Sequence, residues 1–306
     1  MQKFIMLIGP SGCGKSTWAN GHVYDRMGTG EIWDIHSSDA IRGEVWGNEN
    51  VQGDPAQVFI ILHTRVMESL AAGHNVIYDA TNLSRKRRRG VLKTFKTYCE
   101  AHNIEVNYRA VIIVTSFEDC WKNNGKRTRK VPRDVIVKQF KDIILPWFDE
   151  GWNDINFYLN SELMTWGNIM QMLDIPHNNE HHQRDVLEHS LSVAAAMGEP
   201  FSEHWKVGML HDLGKPFTKD YMKLNGKNDN QAHYYGHCNV GAYLSLLVDD
   251  DFSNSWDNYK RAMVIQYHME PFLRDEKALK SLYEWIGDEE IVGLIQKLNK
   301  ADKEWA

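Results

Sequence analysis

The sequence predicts two domains: an N-terminal α/β domain over residues 1–160 with a mostly parallel sheet, and a C-terminal all-α domain over residues 165–306. Three observations predict this. The first half alternates short apolar runs with longer helical patterns, as strands joined by covering helices do. Beyond about residue 165 the apolar residues keep helical spacing and no convincing strand remains. Charge also changes there: residues 1–160 carry 21 Lys and Arg against 18 Asp and Glu, residues 161–306 carry 14 against 23, and nine of the 14 histidines fall in the second part.

Strands are expected at Phe4–Ile8, Glu31–Ile35, Asn75–Asp79, Asn107–Val114 and Ile155–Leu159. Between them, helices are expected from Lys15 onward and over Ser38–Trp46, Pro55–Ala72, Ser84–His102, Phe117–Asn123 and Pro132–Phe140. Such alternation puts helices on both faces of the sheet and ligands beyond the carboxyl ends of its strands. In the second part, helical spacing marks Leu187–Met197, His204–Leu213, Val240–Val248, Tyr259–His268, Glu276–Trp285 and Glu289–Ala301, with turn clusters such as Leu224–Asn228 between them. No internal repeat or low-complexity tract interrupts the chain.

Composition bounds the function. Apolar residues make up 42% and charged residues 25%, ordinary for a soluble globular protein. No apolar run approaches the roughly 20 residues that cross a bilayer, so no membrane role is expected. Four cysteines, Cys13, Cys99, Cys120 and Cys238, are scattered without metal-ligand pairing, which suits a reducing cytoplasm, bacterial or phage-infected. A net charge of −6 argues against non-specific coating of nucleic acid but leaves room for a local basic groove. Oligomeric state is not legible.

The most informative stretch is Gly9-Pro10-Ser11-Gly12-Cys13-Gly14-Lys15-Ser16-Thr17, between an apolar strand and a helix. That is the context of a phosphate-binding loop. Its glycines let backbone N–H groups turn onto phosphate oxygens, Lys15 reaches the terminal phosphates, and the Ser16 hydroxyl is placed for Mg²⁺. ATP or another nucleoside triphosphate, with Mg²⁺, is the expected ligand.

Three features lie at strand ends. Asp39 opens a helix, where its carboxylate can accept a proton from a hydroxyl, and Arg42 one turn later can clamp an anion. Asp79 closes a strand and can support Mg²⁺ or contact the acceptor. Gly125–Arg133 is a basic loop whose Arg127 and Arg129 can neutralise charge on a transferred phosphoryl group. In addition, Arg85–Arg89 puts five cations at a helix start, against the macrodipole, for which polynucleotide phosphates would compensate.

This half resembles the 5′-hydroxyl polynucleotide kinase family typified by bacteriophage end-repair kinases. The matching blocks are the phosphate loop, Ser38–Arg42, Asp79–Leu83 with its arginine-rich helix, and the lid ending in Val131-Pro132, over roughly residues 1–158. The resemblance implies that Asp39 is the general base and Arg42 the contact to the acceptor's phosphate. It further implies that Arg127, with Arg129, serves the donor phosphates, and that Asp79, Asn82, Arg85, Arg88 and Arg89 lie along the nucleic acid.

In the second half, His211-Asp212 stands with His189, His237, His268 and Asp302, each in an apolar helical setting. Imidazole and carboxylate together suit Mn, Fe, Co, Ni, Zn or Mg. Because Asp212 can bridge, six such ligands can hold one or two metals, a pair lying ~3.5–4 Å apart. The order His, His-Asp, His, His, Asp over about residues 172–306 resembles the HD phosphohydrolase superfamily. That resemblance implies one metal on His189, His211, Asp212 and Asp302, and a second on His237 and His268 with Asp212 shared. It also implies phosphate contacts from Lys215 and from His182 or Arg184.

Together the two resemblances imply an enzyme that heals broken RNA or DNA ends, RNA being favoured because only RNA forms a 2′,3′-cyclic phosphate. One domain would phosphorylate 5′-hydroxyl ends and the other remove a 3′-phosphate or cyclic phosphate, ahead of a separate nucleic-acid ligase. Two other readings remain open: a nucleoside or small-molecule kinase fused to an HD nucleotidase, and a nucleotide-gated binding module with a structural metal site.

Overall fold

Five strands, β1 (Gln2–Ile8), β2 (Trp33–Ser37), β3 (Asn75–Asp79), β4 (Val106–Val114) and β5 (Asp154–Leu159), form one sheet in the order β2-β3-β1-β4-β5. Every neighbouring pair is parallel. β3 is buried throughout, β1 from Phe4 on and β4 over Ala110–Val114, because helices cover both faces. The helices are α1 (Lys15–Tyr24), α2 (Ser38–Trp46), α3 (Pro55–Ala71), α4 (Arg85–Ala101), α5 (Phe117–Lys126) and α6 (Arg133–Asp142). Local chemistry sets their starts. The Ser37 hydroxyl accepts from the Asp39 N–H at α2, Asp54 accepts from Ala56 N–H with Pro55 in the first turn of α3, and Ser116 caps α5.

The structure is a computed structural model and describes residues 1–51, 53–179, 184–248 and 255–305. The chain divides into two compact units, Met1–Gln139 with Pro146–Ser161, and Phe140–Leu145 with Glu162–Ala306. Phe140–Leu145 thus groups with the second unit, although sequence alone assigns it to the first. One reason is visible locally: the Leu145 N–H donates to the Gln266 side chain, and the Phe140 ring meets Tyr243 edge-on.

The second unit comprises α7 (Trp166–Leu173), α8 (Val186–Met197), α9 (Glu203–Leu210), α10 (Lys215–Thr218), β6 (Asp220–Met222), β7 (Asn228–His233), α11 (His237–Ser245), α12 (Ser255–Tyr267), α13 (Glu270–Leu273), α14 (Glu276–Ile286) and α15 (Glu289–Trp305). β6 and β7 form an antiparallel hairpin, so the unit is helical but not wholly so. β7 is polar but for Ala232 and β6 is only three residues long, so neither shows a period-two apolar pattern and the sequence marks only the turn between them. Gly226 takes a φ of +77° there, and backbone bonds from Lys223 N–H to Lys227 O and from Gly226 N–H to Lys223 O close the turn. No helix among the described residues is long and apolar enough to cross a membrane.

One arginine departs from its expected role. Arg88 on α4 is fully buried and makes a two-pronged ion pair with buried Glu150, Nε at 2.8 Å and Nη2 at 2.6 Å, while Nη1 donates to the Asn82 and Leu83 carbonyls. Arg85 pairs with Asp149 in the same short turn, Phe148–Glu150. The anionic compensation this helix start requires therefore comes from within the protein. Arg88 is a folding residue and does not line a nucleic-acid surface; Lys86, Arg87 and Arg89 are the exposed cations. Arg88→Ala should cost ~3–5 kcal/mol of stability in urea melts, since it strands a buried carboxylate.

Candidate active sites

The carboxyl edge of the parallel sheet gathers the first site. Residues 9–14 leave β1 and enter α1, with Gly12 and Gly14 at φ of +85° and +97°. A side chain at Gly12 would also strike the Cys120 backbone. The loop carbonyls are tied on the outside: Asn123 Nδ2 donates to Gly12 O at 3.1 Å, and Thr115 Oγ1 and Asn160 Nδ2 donate to Cys13 O at 2.8 and 3.0 Å. Peptide planarity then turns the Gly14 N–H the other way. The Ser11 N–H is held by Gln139 at 2.7 Å. Lys15 Nζ donates to Gly9 O at 3.0 Å and Pro10 O at 2.8 Å, folded over its own loop.

A cavity of about 530 Å³ opens beside the loop, lined by Ser11, Gly12, Lys15, Ser16, Thr17, Asp39, Asp79, Arg127, Arg129 and others. Asp79, at the end of β3, accepts from Ser16 Oγ at 2.7 Å. Burial pushes its carboxyl up, opposed by the Lys15 ammonium and the Ser16 hydroxyl. A buried carboxylate beside a hydroxyl at the loop's helix is a donor pair that fits Mg²⁺. Asp39 holds three arginines: Arg42 Nη1 at 3.0 Å, Arg127 Nη2 at 2.8 Å, and Arg129. Asn123, Asn160 and Lys126 also line the cavity, and sequence reasoning did not single them out. Asparagines at a strand end and a helix face carry no motif.

Other expected contacts are not assembled here. Asn82, at φ +50°, spends its amide on Leu7 O at 2.7 Å and Ala80 O at 3.2 Å, bracing the strand ends.

The second unit builds a cage from α8, the end of α9, α11, the end of α12, and α15. In three histidines Nδ1–H donates to the carbonyl three residues earlier: His211 to Gly208 at 2.6 Å, His237 to Tyr234 at 2.8 Å and His268 to Ile265 at 2.7 Å. His189 donates to Trp305 O at 3.1 Å. The four Nε2 atoms then face one another in two pairs, each within reach of Asp212. His189 and His211 stand 3.2 Å apart there, His237 and His268 3.4 Å. Asp302 Oδ1 lies 3.1 Å from His189, and Asp212 reaches His189 and His237 at 3.6 Å and His211 at 3.3 Å.

Imidazole nitrogens facing one another at such distances repel unless a proton or cation lies between them. Burial opposes charge on His211, but Asp212 raises it above the ordinary value. Burial, with His237 and His211, pushes His268 down to about 3. Burial also works against the Asp212 carboxylate, yet His211 and Lys215 hold it well below the usual range. A buried donor set of four imidazoles and two carboxylates, each ring aimed by a backbone carbonyl, fits divalent ions.

Lys215 Nζ lies 2.7 Å from Asp212 Oδ2 and 2.9 Å from His177 Nε2. Gly214 precedes it because the His237 carbonyl occupies the space of any side chain. His177 is a member of the site that no spacing rule marked. Its Nδ1–H donates to Arg184 O at 2.7 Å, which leaves Nε2 to accept a hydrogen bond from the Lys215 ammonium, and burial and Lys215 push its pKa down to about 4. The Arg184 side chain is exposed, donates to Ser192 and lies over the Trp305 ring, so only its carbonyl takes part. His182 lies outside the described residues.

Residues 4–145 match the family model of an AAA domain. With its all-parallel sheet and loop, the N-terminal unit has a phosphate-loop kinase fold. No curated protein matches the chain. Among solved structures, a chain of the Pnkp1/Rnl/Hen1 RNA repair complex is 24% identical, with 45% of this chain and 42% of that one covered, at a TM-score of 0.37. A gluconokinase from Sinorhizobium meliloti 1021 is 15% identical (51% and 82% covered, TM-score 0.33), and a fungal RNA kinase 14% (52% and 75%, TM-score 0.34). The chain thus spans less than half of the first of these, and likeness this slight says nothing of substrate.

Asp39 is the shared counter-charge of Arg42, Arg127 and Arg129. Asp39→Ala should speed tryptic cleavage at Arg127 and Arg129 by about tenfold, the effect of ~1.4 kcal/mol lost from partly exposed ion pairs.

Proposed function

We propose that this protein heals nucleic-acid ends at two separate sites, RNA ends above all. The N-terminal unit would transfer the γ-phosphate of ATP or another triphosphate to a 5′-hydroxyl. The C-terminal unit would remove a 3′-phosphate or a 2′,3′-cyclic phosphate. Its product, with a 5′-phosphate and a free 3′-hydroxyl, is what a nucleic-acid ligase joins.

The observation that carries the kinase reading is Asp39 on the wall of the phosphate-loop cavity with three arginines around it. A triphosphate would draw Arg127 and Arg129 from Asp39, and freeing that carboxylate lets it take the proton of an incoming hydroxyl. Arg42 remains beside it for an acceptor phosphate, which favours a nucleotide acceptor over a neutral sugar. Ser16 and Asp79 would hold Mg²⁺. Lys86, Arg87 and Arg89 are exposed cations that would be available to polynucleotide phosphates.

For the second unit, the inward nitrogen atoms support a metal-dependent phosphoesterase. His189, His211, Asp212 and Asp302 would hold one metal, and His237, His268 and Asp212 another. When bound, such metals polarise phosphoryl oxygens and acidify water. Lys215, oriented by Asp212 and His177, would bind the substrate phosphate.

Lys15→Ala and Asp39→Asn should lower 5′-phosphorylation of a 5′-hydroxyl oligonucleotide by about 10²–10⁴-fold while leaving 3′-end hydrolysis intact. Asp212→Asn should do the reverse. Labelled RNA carrying both a 5′-hydroxyl and a 2′,3′-cyclic phosphate reads both outcomes in one assay. Loss of both activities from either single change in a folded protein would overturn the two-site reading.

The metal reading also has a stability consequence. A metal at about 100 times its dissociation constant should stabilise the protein by ~2.7 kcal/mol per site. Chelation should therefore lower the melting temperature, and Asp212→Asn should abolish the difference.

A further inference from the structure

The cage contains one more donor. Cys238 is the second residue of α11, and its Sγ lies 3.6 Å from His237 Nε2. A ligand atom from each of His237, Cys238 and His268 lies within 4.8 Å of the other two. We propose that the Cys238 thiolate is a ligand of the second metal, giving that position a sulfur, two imidazole nitrogens and the shared Asp212 oxygen. This rests on the cage being a metal centre.

The distances carry the assignment. Sulfur at ~2.3 Å and imidazole nitrogen at ~2.0–2.1 Å from a tetrahedral ion stand ~3.6 Å apart, and two such nitrogens ~3.3 Å apart. Here the S–N distance is 3.6 Å and the N–N distance between His237 and His268 is 3.4 Å. Asp212 Oδ1 stands 3.6 Å from His237 Nε2, on the scale of a fourth corner.

A simple thiol hydrogen bond does not account for the arrangement. With both Nδ1–H groups committed to backbone carbonyls, His237 Nε2 and His268 Nε2 face one another at 3.4 Å as two acceptors, and a thiol hydrogen bond to His237 leaves that opposition in place. A cation satisfies both nitrogens and the sulfur at once. The thiol proton leaves to solvent as the metal binds.

Soft sulfur at one position and not at the other makes the two positions unlike. His189, His211, Asp212 and Asp302 offer only nitrogen and oxygen, which suit Mn, Fe, Co, Ni, Zn or Mg. The sulfur-bearing position favours Zn and Co over Mg and Mn. The inferred centre is therefore built to load two different ions, or one ion at two affinities.

Cobalt(II) is the probe, because tetrahedral Co(II) reports its ligands in its spectrum. Full-length protein stripped by a chelator and held in a thiol-free reductant is titrated with Co(II). Visible absorption reports tetrahedral binding, and a near-ultraviolet sulfur-to-cobalt charge-transfer band reports a thiolate ligand. The band should grow with one of two bound equivalents, vanish in Cys238→Ser, and persist in Cys99→Ser and Cys120→Ser. Cys238→Ser should also weaken that equivalent by more than about 100-fold, the upper end of what outer-shell partners cost.

Independently of any variant, Co(II) should protect Cys238 of the wild-type protein from alkylation, read by peptide mass. Two bound cobalt ions without the charge-transfer band, or with Cys238 alkylated at the apo rate, overturn the thiolate ligand and leave the metal centre standing. No cobalt bound by a folded protein overturns the centre itself.

Discussion

The hydrogen bond from histidine Nδ1 to a backbone carbonyl is the contact on which the C-terminal unit's histidine cage depends. His211, His237 and His268 each make it to the residue three positions back, so the helix end that carries the ring also fixes its rotation. His189 makes it to Trp305, tying α8 to the end of α15. Once Nδ1 is committed, Nε2 has only one direction left. Four rings so fixed converge, and convergence in a dry interior demands positive charge among them. Lys215, the raised His211 and any bound ion are different answers to the same demand.

The N-terminal unit answers the opposite demand. Its loop and strand ends leave N–H groups, Lys15 and arginines around a cavity, where anions are stabilised. In the structure Asp39 supplies the missing negative charge by collecting Arg42, Arg127 and Arg129. A carboxylate paired with three guanidinium groups is a weaker proton acceptor than a free one. On the proposed reading, nucleotide phosphates taking over Arg127 and Arg129 would release Asp39, and donor binding and base activation would then be coupled by charge.

Arg88 shows how pairing can mislead a reader of sequence. Five adjacent cations at a helix start suggest an external polyanion. Helical periodicity, however, turns Arg88 and Arg85 toward one side, where Glu150 and Asp149 meet them from a segment more than sixty residues away. The same limit hid His177 and Cys238. His177 reaches Lys215 across 38 residues, and Cys238 belongs to the cage only because α11 and α12 bring His237 and His268 together. The β6–β7 hairpin escaped notice because β6 is only three residues long and β7 has no alternating apolar residues.

Local chemistry was legible throughout: a strand, a glycine-rich turn and a lysine define a phosphate loop without reference to anything distant, and His-Asp with further spaced histidines defines a donor inventory. The phosphate loop and the His211-Asp212 pair depend on neighbours in the chain, whose geometry the covalent backbone imposes; the spaced histidines give residue types and no geometry. Which donors share a centre, which arginine is buried against an acid, and whether Asp39 faces solvent or a ring of guanidinium groups were decided only by tertiary packing. The reason is that desolvation and ion pairing act through space, between residues whose separation along the chain carries no information about their distance.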